Sequence, residues 1–253
     1  MPRYTSLCLF HRIVSGIYGA MPASALYNII GDIHARTCWK SLVREDSINI
    51  FVGDYFDPYE RVSPAEQLYN FQEILDFKRK RPETILQYGN HDLHYLNACE
   101  HYSRYDAMSA PLYRQAFVDS QSLFNGIAYP IGDVAIVTHA GVTKEWYKKY
   151  TRINHPEPPS VVAQRINELW SKNKEAFTFS ANAIGWEDRY GTSPTHSPLW
   201  IRPWILKNHN LFAGTDIKQI FGHTQTGDGV VIDGNLICVD CLDTKEQTYL
   251  LEV

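Results

Sequence analysis

Five short clusters in this chain carry side chains able to bind metal ions. They are Gly31-Asp32-Ile33-His34, Gly53-Asp54-Tyr55-Phe56-Asp57, Gly89-Asn90-His91-Asp92, Thr138-His139-Ala140-Gly141 and Gly222-His223-Thr224. Each one ends an apolar run. A lone Gly-Asp is usually a turn, and with 10 histidines in the chain some will fall beside glycine by chance. The joint pattern is harder to produce by accident. Loops at the carboxyl ends of core strands are where α/β proteins place their sites, and glycine lets the backbone turn tightly there. The chemistry expected is metal binding at convergent strand ends.

The elements that must hold these clusters are legible as alternating patterns. Apolar runs at 26–31, 47–53 and 84–89 read as strands, and 35–44 as a short helix. Residues 64–81 place Leu68, Phe71, Ile74 and Leu75 on one helical stripe. Further along, 110–124 and 161–177 read as helices. Residues 127–131 and 134–138 read as a hairpin around Gly132-Asp133. Runs at 217–222, 229–232, 236–240 and 247–252 return to strand. Pro156, Pro158 and Pro159 mark a loop, and 180–210 reads as an irregular insertion rich in Trp, Pro and His. Short strands alternating with helices indicate a layered α/β core.

The series of clusters resembles the signature of the calcineurin-like metallophosphoesterase superfamily: D-x-H, G-D-x-x-D, G-N-H-[DE], a lone H in an apolar strand, and G-H. The resemblance spans residues 26–253. It implies an α/β fold, a four-layer αββα sandwich with two mixed sheets. One domain is expected over 26–253, with insertions at about 93–126 and 142–210 forming a cap. It implies a dinuclear centre in which Asp32 and His34 bind the first metal, Asp54 bridges, and Asn90, His139 and His223 bind the second. Such a donor set suits two transition-metal ions, manganese first, with iron, zinc or nickel also compatible. No thiolate belongs to it, which argues against a structural zinc site. The implied reaction is hydrolysis of a phosphate ester by in-line attack of a metal-bridging hydroxide. His91 is the candidate general acid. Asp57 is the expected orienting partner, raising its pKa, with Asp92 as the alternative.

Two details sort the branches. Many phosphodiesterases of the superfamily end in G-H-x-H, whereas Gln225 stands at the second position here. This is closer to the phosphoprotein phosphatases and the symmetrical diadenosine tetraphosphatases. Asp32-Ile33-His34-Ala35-Arg36 resembles their G-D-I-H-G-R, with Ala35 for glycine. Those phosphatases follow the second motif with Arg-Gly, and Pro58-Tyr59 occupies that place. Arg61 is a possible substitute, although a solvated surface role suits it better. Leu199-Trp200-Ile201-Arg202 resembles the L-W-x-R segment of bacterial members, which makes Arg202 the candidate phosphate ligand. An arginine stacked on Trp200 or Trp204 is its other reading. The expected activity is a phosphomonoesterase of the serine/threonine phosphatase-like type. The alternative is a nucleotide-directed hydrolase, with Tyr95, Tyr102, Tyr105, Trp146, Trp170, Trp186 and Tyr190 either stacking a base or forming the cap's own core.

Bulk composition is compatible with all of this. The chain has 253 residues and a formal net charge of -4, so a coat for nucleic acid is not expected and the partner should be a phosphorylated substrate. Cys8, Cys38, Cys99, Cys238 and Cys241 are odd in number and scattered, unlike a secreted disulfide framework. Cys238-x-x-Cys241 lies in a strand-like run and reads as buried small hydrophobes. No apolar run is long enough to span a membrane. Residues 1–25 read as a loosely ordered extension, with Met21 as an alternative start and a cleaved signal ending at Ala23-Ser24-Ala25 as the lesser reading. The expected location is cytoplasmic.

Overall fold

The computed structural model describes residues 24–96, 100–185, 188 and 190–253. The extension up to residue 23, with Cys8, lies outside the described residues, as do Cys99 and Trp186. In chain order the elements are β1 (Leu26–Ile30), α1 (Trp39–Leu42), β2 (Ile48–Phe51), α2 (Pro64–Lys80), β3 (Ile85–Leu86), α3 (Asn90–Leu93) and α4 (Ala110–Ser120). Then come β4 (Ala128–Ile131), β5 (Ala135–Thr138), α5 (Lys144–Thr151), α6 (Pro159–Lys172), α7 (Pro203–His209), β6 (Lys218–Phe221), β7 (Val231–Asp233), β8 (Leu236–Cys238) and β9 (Tyr249–Glu252).

Two mixed sheets form. The first has the order β3-β2-β1-β9, with β1, β2 and β3 parallel and β9 antiparallel to β1. The second has the order β4-β5-β6-β8-β7, with β5, β6 and β8 parallel and an antiparallel strand at each edge. Period-two alternation assigns the faces. Ile29, Ile50 and Ile85 of the first sheet meet Val137, Ile220 and Ile237 of the second in a buried inter-sheet core. The residues one step along, Ile30, Phe51 and Leu86, face outward onto Phe71 and Ile74 of α2 and Phe117 of α4. On the far side Val162, Ala163 and Ile166 of α6 cover Ala128 and Ile136, and Leu206 of α7 covers Phe221, Leu236 and Cys238. Helix, sheet, sheet and helix are the four layers expected.

The details show where local physics overrides pattern. α2 starts at Pro64 because Ser63 and Glu66 form a capping box, and it ends in Lys78, Arg79 and Lys80 beside the negative end of its dipole. Only four of residues 35–44 are helical, since His34 and Ala35 sit at φ 41° and 60°, left-handed values a helix cannot include. Positive φ at Ala35 also explains why glycine suits that position in the resembling motif. Pro159 opens α6 rather than extending a loop, as proline is well placed at a first helical position. The stretch 180–210, expected to be irregular, ends in α7, again opened by proline. α5 was not visible in the pattern; Thr143 caps it through Trp146 N–H. Cys38, Cys238 and Cys241 are free thiols, the last two buried as expected. Among the described residues no helix is long and apolar enough to cross a membrane.

Candidate metal centre

Because β1, β2 and β3 are parallel, and β5, β6 and β8 are parallel, their carboxyl ends present loops in register. Asp32 and His34 follow β1. Asp54 and Asp57 follow β2. Asn90 and His91 open α3 after β3, His139 follows β5 and His223 follows β6. Two glycines let the loops touch. Gly53, at φ 110°, lies against the backbone of Gly89, and Gly222 lies against the Asp32 carboxylate. A Cβ at either would collide. Backbone strain collects here too: His34, Asp54, Asp57 and His223 all have positive φ. Non-glycine residues held this way are typical of functional sites.

The six candidate ligands meet. Ligand atoms of Asp32, His34 and Asp54 lie within 4.8 Å of one another. Asp54 Oδ2 is 3.5 Å from both His34 Nε2 and His139 Nε2. Asn90 Oδ1 is 2.7 Å from His139 Nε2 and 2.8 Å from His223 Nδ1. Asp32 accepts the backbone N–H of His223.

Tautomers then test whether a cation fits. The other ring nitrogen of each histidine faces a backbone carbonyl, which accepts only. His34 Nδ1 meets Phe56 O at 2.9 Å, His139 Nδ1 meets Val52 O at 2.9 Å, and His223 Nε2 meets Trp200 O at 3.2 Å. Those nitrogens must carry the protons. The inward nitrogens are therefore lone pairs, pointed at the oxygens of Asp54 and Asn90. Lone pairs facing lone pairs at these distances are repulsive without positive charge between them. Burial lowers the pKa of His34 and His223 well below normal and pushes His139 down to about 3, keeping all three imidazoles neutral. Burial, then like charge from Asp240 and Asp92 respectively, raises Asp32 and Asp54 well above the usual carboxylate range in the metal-free protein. Neutral imidazoles, buried acids and an inward carboxamide fit a pair of hard-to-borderline transition cations.

His91 sits at the edge of this cluster. Its backbone N–H donates to Asp54 Oδ1 at 2.8 Å and its Nδ1 meets Asp57 Oδ2 at 2.8 Å. Asp57, not Asp92, is the carboxylate that contacts the His91 ring. Burial raises the Asp57 pKa, but hydrogen bonds from His91 and His94 outweigh it and leave the carboxylate lowered. The expected upward shift of His91 is corrected: burial dominates the opposing pull of Asp57, and its pKa is lowered. Asp92 is also reassigned. It does not touch the His91 ring. Its carboxylate accepts the backbone N–H groups of Gly89 at 2.8 Å, Asp54 at 2.9 Å and Tyr55 at 3.0 Å. Asp92 thus ties two ligand loops together. Asp92→Ala should leave three buried donors unpaired at about 1–3 kcal/mol each, lowering stability by more than about 3 kcal/mol in urea melts. Stability unchanged within error would refute the tie.

Arg202 lies beside the centre. Its Nη1 donates to His223 O at 3.3 Å and Thr224 Oγ1 at 3.1 Å, and its Nε donates to Tyr190 O. Arg61 and Gln225 are exposed. Four nearby residues have no role assigned from sequence. Asp240, two residues past β8, is buried beside Asp32 and pushed up to about 7 by burial. The rule that strands end in a donor was the signal for it. His94 Nε2 lies 2.6 Å from Asp57 Oδ2. Arg36 Nη1 donates to Asp32 O. Arg104 reaches His91 from the segment between β3 and β4.

None of the curated proteins matches the chain. Among solved structures, a serine/threonine phosphatase from Saccharomyces cerevisiae with similarity to human phosphatase PP5 aligns at TM-score 0.42 and 17% identity, covering 85% of this chain and 66% of that one. A metallophosphoesterase from Sphaerobacter thermophilus aligns at TM-score 0.31 and 17% identity, covering 48% of this chain and 53% of that one. The chain thus spans less than two thirds of the length of either. Residues 27–227 match the family model described as calcineurin-like phosphoesterase, and the chain belongs to that family.

Proposed function

We propose that this chain is a metal-dependent phosphomonoesterase of the serine/threonine phosphatase-like type. Asp32, His34, Asp54, Asn90, His139 and His223 hold two transition-metal ions, manganese first, and His91 with Asp57 serves proton transfer. The observation that carries the reading is the ring of inward lone pairs on His34, His139 and His223, facing Asp54 and Asn90 at 2.7–3.5 Å. Two such ions, when bound, supply a nucleophile active at neutral pH and neutralise phosphate charge. The protein's own part is positional. Backbone carbonyls fix the imidazole tautomers, Asp92 locks the ligand loops, and Asp57 aims His91 at the edge where a leaving oxygen needs a proton. Arg202 presents a guanidinium to phosphate oxygens. A cavity of about 640 Å³ beside His34, running along Arg36 and Tyr69, has room for the leaving group.

The nucleotide-directed alternative relied on aromatics free to stack a base. Trp146 and Trp170 pack on Phe177, Tyr95 on Phe56 and Tyr113, and Tyr102 on Trp200. Their packing supports the cap-core role for these residues, while Tyr190 stays exposed. The test is a panel. Metal-free protein receives Mn, Ni, Zn or Mg and is assayed on p-nitrophenyl phosphate, bis-p-nitrophenyl phosphate, diadenosine tetraphosphate and a phosphopeptide. The monoesters should exceed the diester by at least about tenfold in kcat/KM, a difference of about 1.4 kcal/mol in barrier. Preference for the diester or the dinucleotide would overturn the monoesterase reading. Silence on every substrate with every metal would overturn the enzyme reading.

A further inference from the structure

Arg104 lies outside the ligand loops, yet its side chain is held by three residues of the site, Asp57 and Tyr59 from the loop after β2 and His91 from α3. Its backbone is left-handed, at φ 64°. Its guanidinium lies over Tyr59, the Cζ 3.6 Å from the ring centroid. Nε donates to Asp57 O at 3.0 Å, and Nη2 is 3.1 Å from His91 Nε2. Since His91 Nδ1 faces a carboxylate, Nε2 of the neutral ring accepts that contact; His91 carrying the proton of a general acid on Nε2 cannot accept it, which leaves this Arg104 donor free for substrate. Tyr59 in turn stands edge-on to His34 at 5.1 Å, with Arg36 also near its ring. A planar cation is thereby placed one contact from the proton-transfer histidine and one ring from a metal ligand.

Holding a guanidinium this way has a use. Free arginine loses much rotamer freedom on binding, whereas a stacked and doubly anchored one has lost it already. A guanidinium carries five donors, and the contacts to Asp57 and His91 do not exhaust them. Arg202 anchors on the other side, through His223 O and Thr224. The two arginines therefore approach the six-ligand cluster from its His91 side and its His223 side. Two guanidinium groups match a phosphate with two negative charges better than a diester with one, because charge-assisted bonds to anionic oxygens are the strong ones.

We propose that Arg104, stacked on Tyr59, is a phosphate-oxygen clamp of this site and that, opposite Arg202, it selects dianionic phosphate. This rests on the phosphoesterase reading above and names its substrate class. The tyrosine supplies the platform, and the arginine supplies the contact to substrate.

The experiment uses the full chain loaded with manganese, with metal content measured for every variant. Wild type, Arg104→Gln, Arg104→Lys and Tyr59→Leu are titrated with inorganic phosphate by calorimetry, then assayed on p-nitrophenyl phosphate and bis-p-nitrophenyl phosphate. With metal content unchanged, Arg104→Gln should weaken phosphate binding about 10- to 100-fold. Arg104→Lys should recover part of that loss, keeping charge but not the planar fork. Tyr59→Leu should fall between wild type and Arg104→Gln. kcat/KM on the monoester should drop in parallel, and on the diester by less than about threefold. Unchanged phosphate affinity in both arginine variants overturns the clamp, as does equal loss on the two esters. If Arg104→Gln loses metal, Arg104→Lys decides alone: affinity equal to wild type there overturns the proposal. Failure of wild type to turn over either ester overturns the phosphomonoesterase reading instead, and the phosphate titration still decides the clamp.

Discussion

Asp54→Asn should abolish activity and empty the metal centre while making the metal-free protein more stable. Asp54 is the carboxylate whose Oδ2 is equidistant, at 3.5 Å, from one imidazole of each half of the site. Its other oxygen accepts His91 N–H. Asparagine is isosteric, so it keeps an oxygen for that N–H. It then presents an NH2 group to the lone pairs of His34 and His139. The carboxylate proposed to serve both ions would be gone. Metal content should fall well below that of wild type, and kcat/KM should drop by more than about 10³-fold, a barrier increase of about 4 kcal/mol. The stability effect has the opposite sign. Burial and the neighbouring Asp92 make an ionised Asp54 unfavourable without metal. A neutral amide that donates to two lone pairs removes that penalty, and relief of an uncompensated buried charge is worth a few kcal/mol at most. Thermal melting of metal-free wild type and variant, alongside elemental analysis, separates the two effects. A fully loaded, active Asp54→Asn would sink the bridging role. A destabilised metal-free variant would sink the account of the lone pairs.

How much of this was readable beforehand follows from how each residue is positioned. The candidate ligands were legible because a parallel strand, a tight turn and a donor occur together, and that combination is local in sequence. The two-sheet sandwich followed from the resemblance those motifs carry. What escaped was non-local. Arg104 belongs to no motif, and the role proposed for it rests on contacts to Tyr59, 45 positions earlier, and to His91. Asp92 looked like a neighbour of His91 because adjacency in sequence suggests contact. In a helix its side chain points elsewhere, and three backbone donors from two loops claim it. β3 is two residues long rather than six: Gln87 N–H still reaches Phe51 O of β2, but Tyr88 N–H turns away to Gly126 O, and the Gln87 side-chain amide bridges to the carbonyls of Ile127 and Val137. α5 is short and strongly amphipathic, and only a cap at Thr143 marks it. The aromatic segments resisted reading for a related reason: the same Trp and Tyr serve a stacking cleft or a packed cap, and only three-dimensional neighbours decide.

His91→Asn should slow substrates with poor leaving groups by about 10²–10⁴-fold, the range general-acid catalysis supplies, while p-nitrophenyl phosphate loses about tenfold or less. The ring is fixed at Nδ1 by Asp57, whose carboxylate also meets Tyr95 OH at 2.5 Å and His94 Nε2 at 2.6 Å. Two hydrogen bonds and a third close contact on one carboxylate leave it little freedom to turn away, so Nε2 is held in one direction. That nitrogen faces Arg104 rather than a metal-ligand oxygen, so the ring is outside the lone-pair cluster and its loss should spare metal content. A nitrophenolate departs without help from a proton, and an alkoxide does not. Hence the discrimination between leaving groups, rather than the rate on any one substrate, reports the role. Asp57→Asn should show the same discrimination with a smaller amplitude, since the imidazole stays present but loses its orientation. It should also cost stability, because an amide cannot accept from all three donors. Uniform slowing across leaving groups, or loss of metal from His91→Asn, would place His91 among the structural supports of the centre and leave the leaving oxygen to another donor.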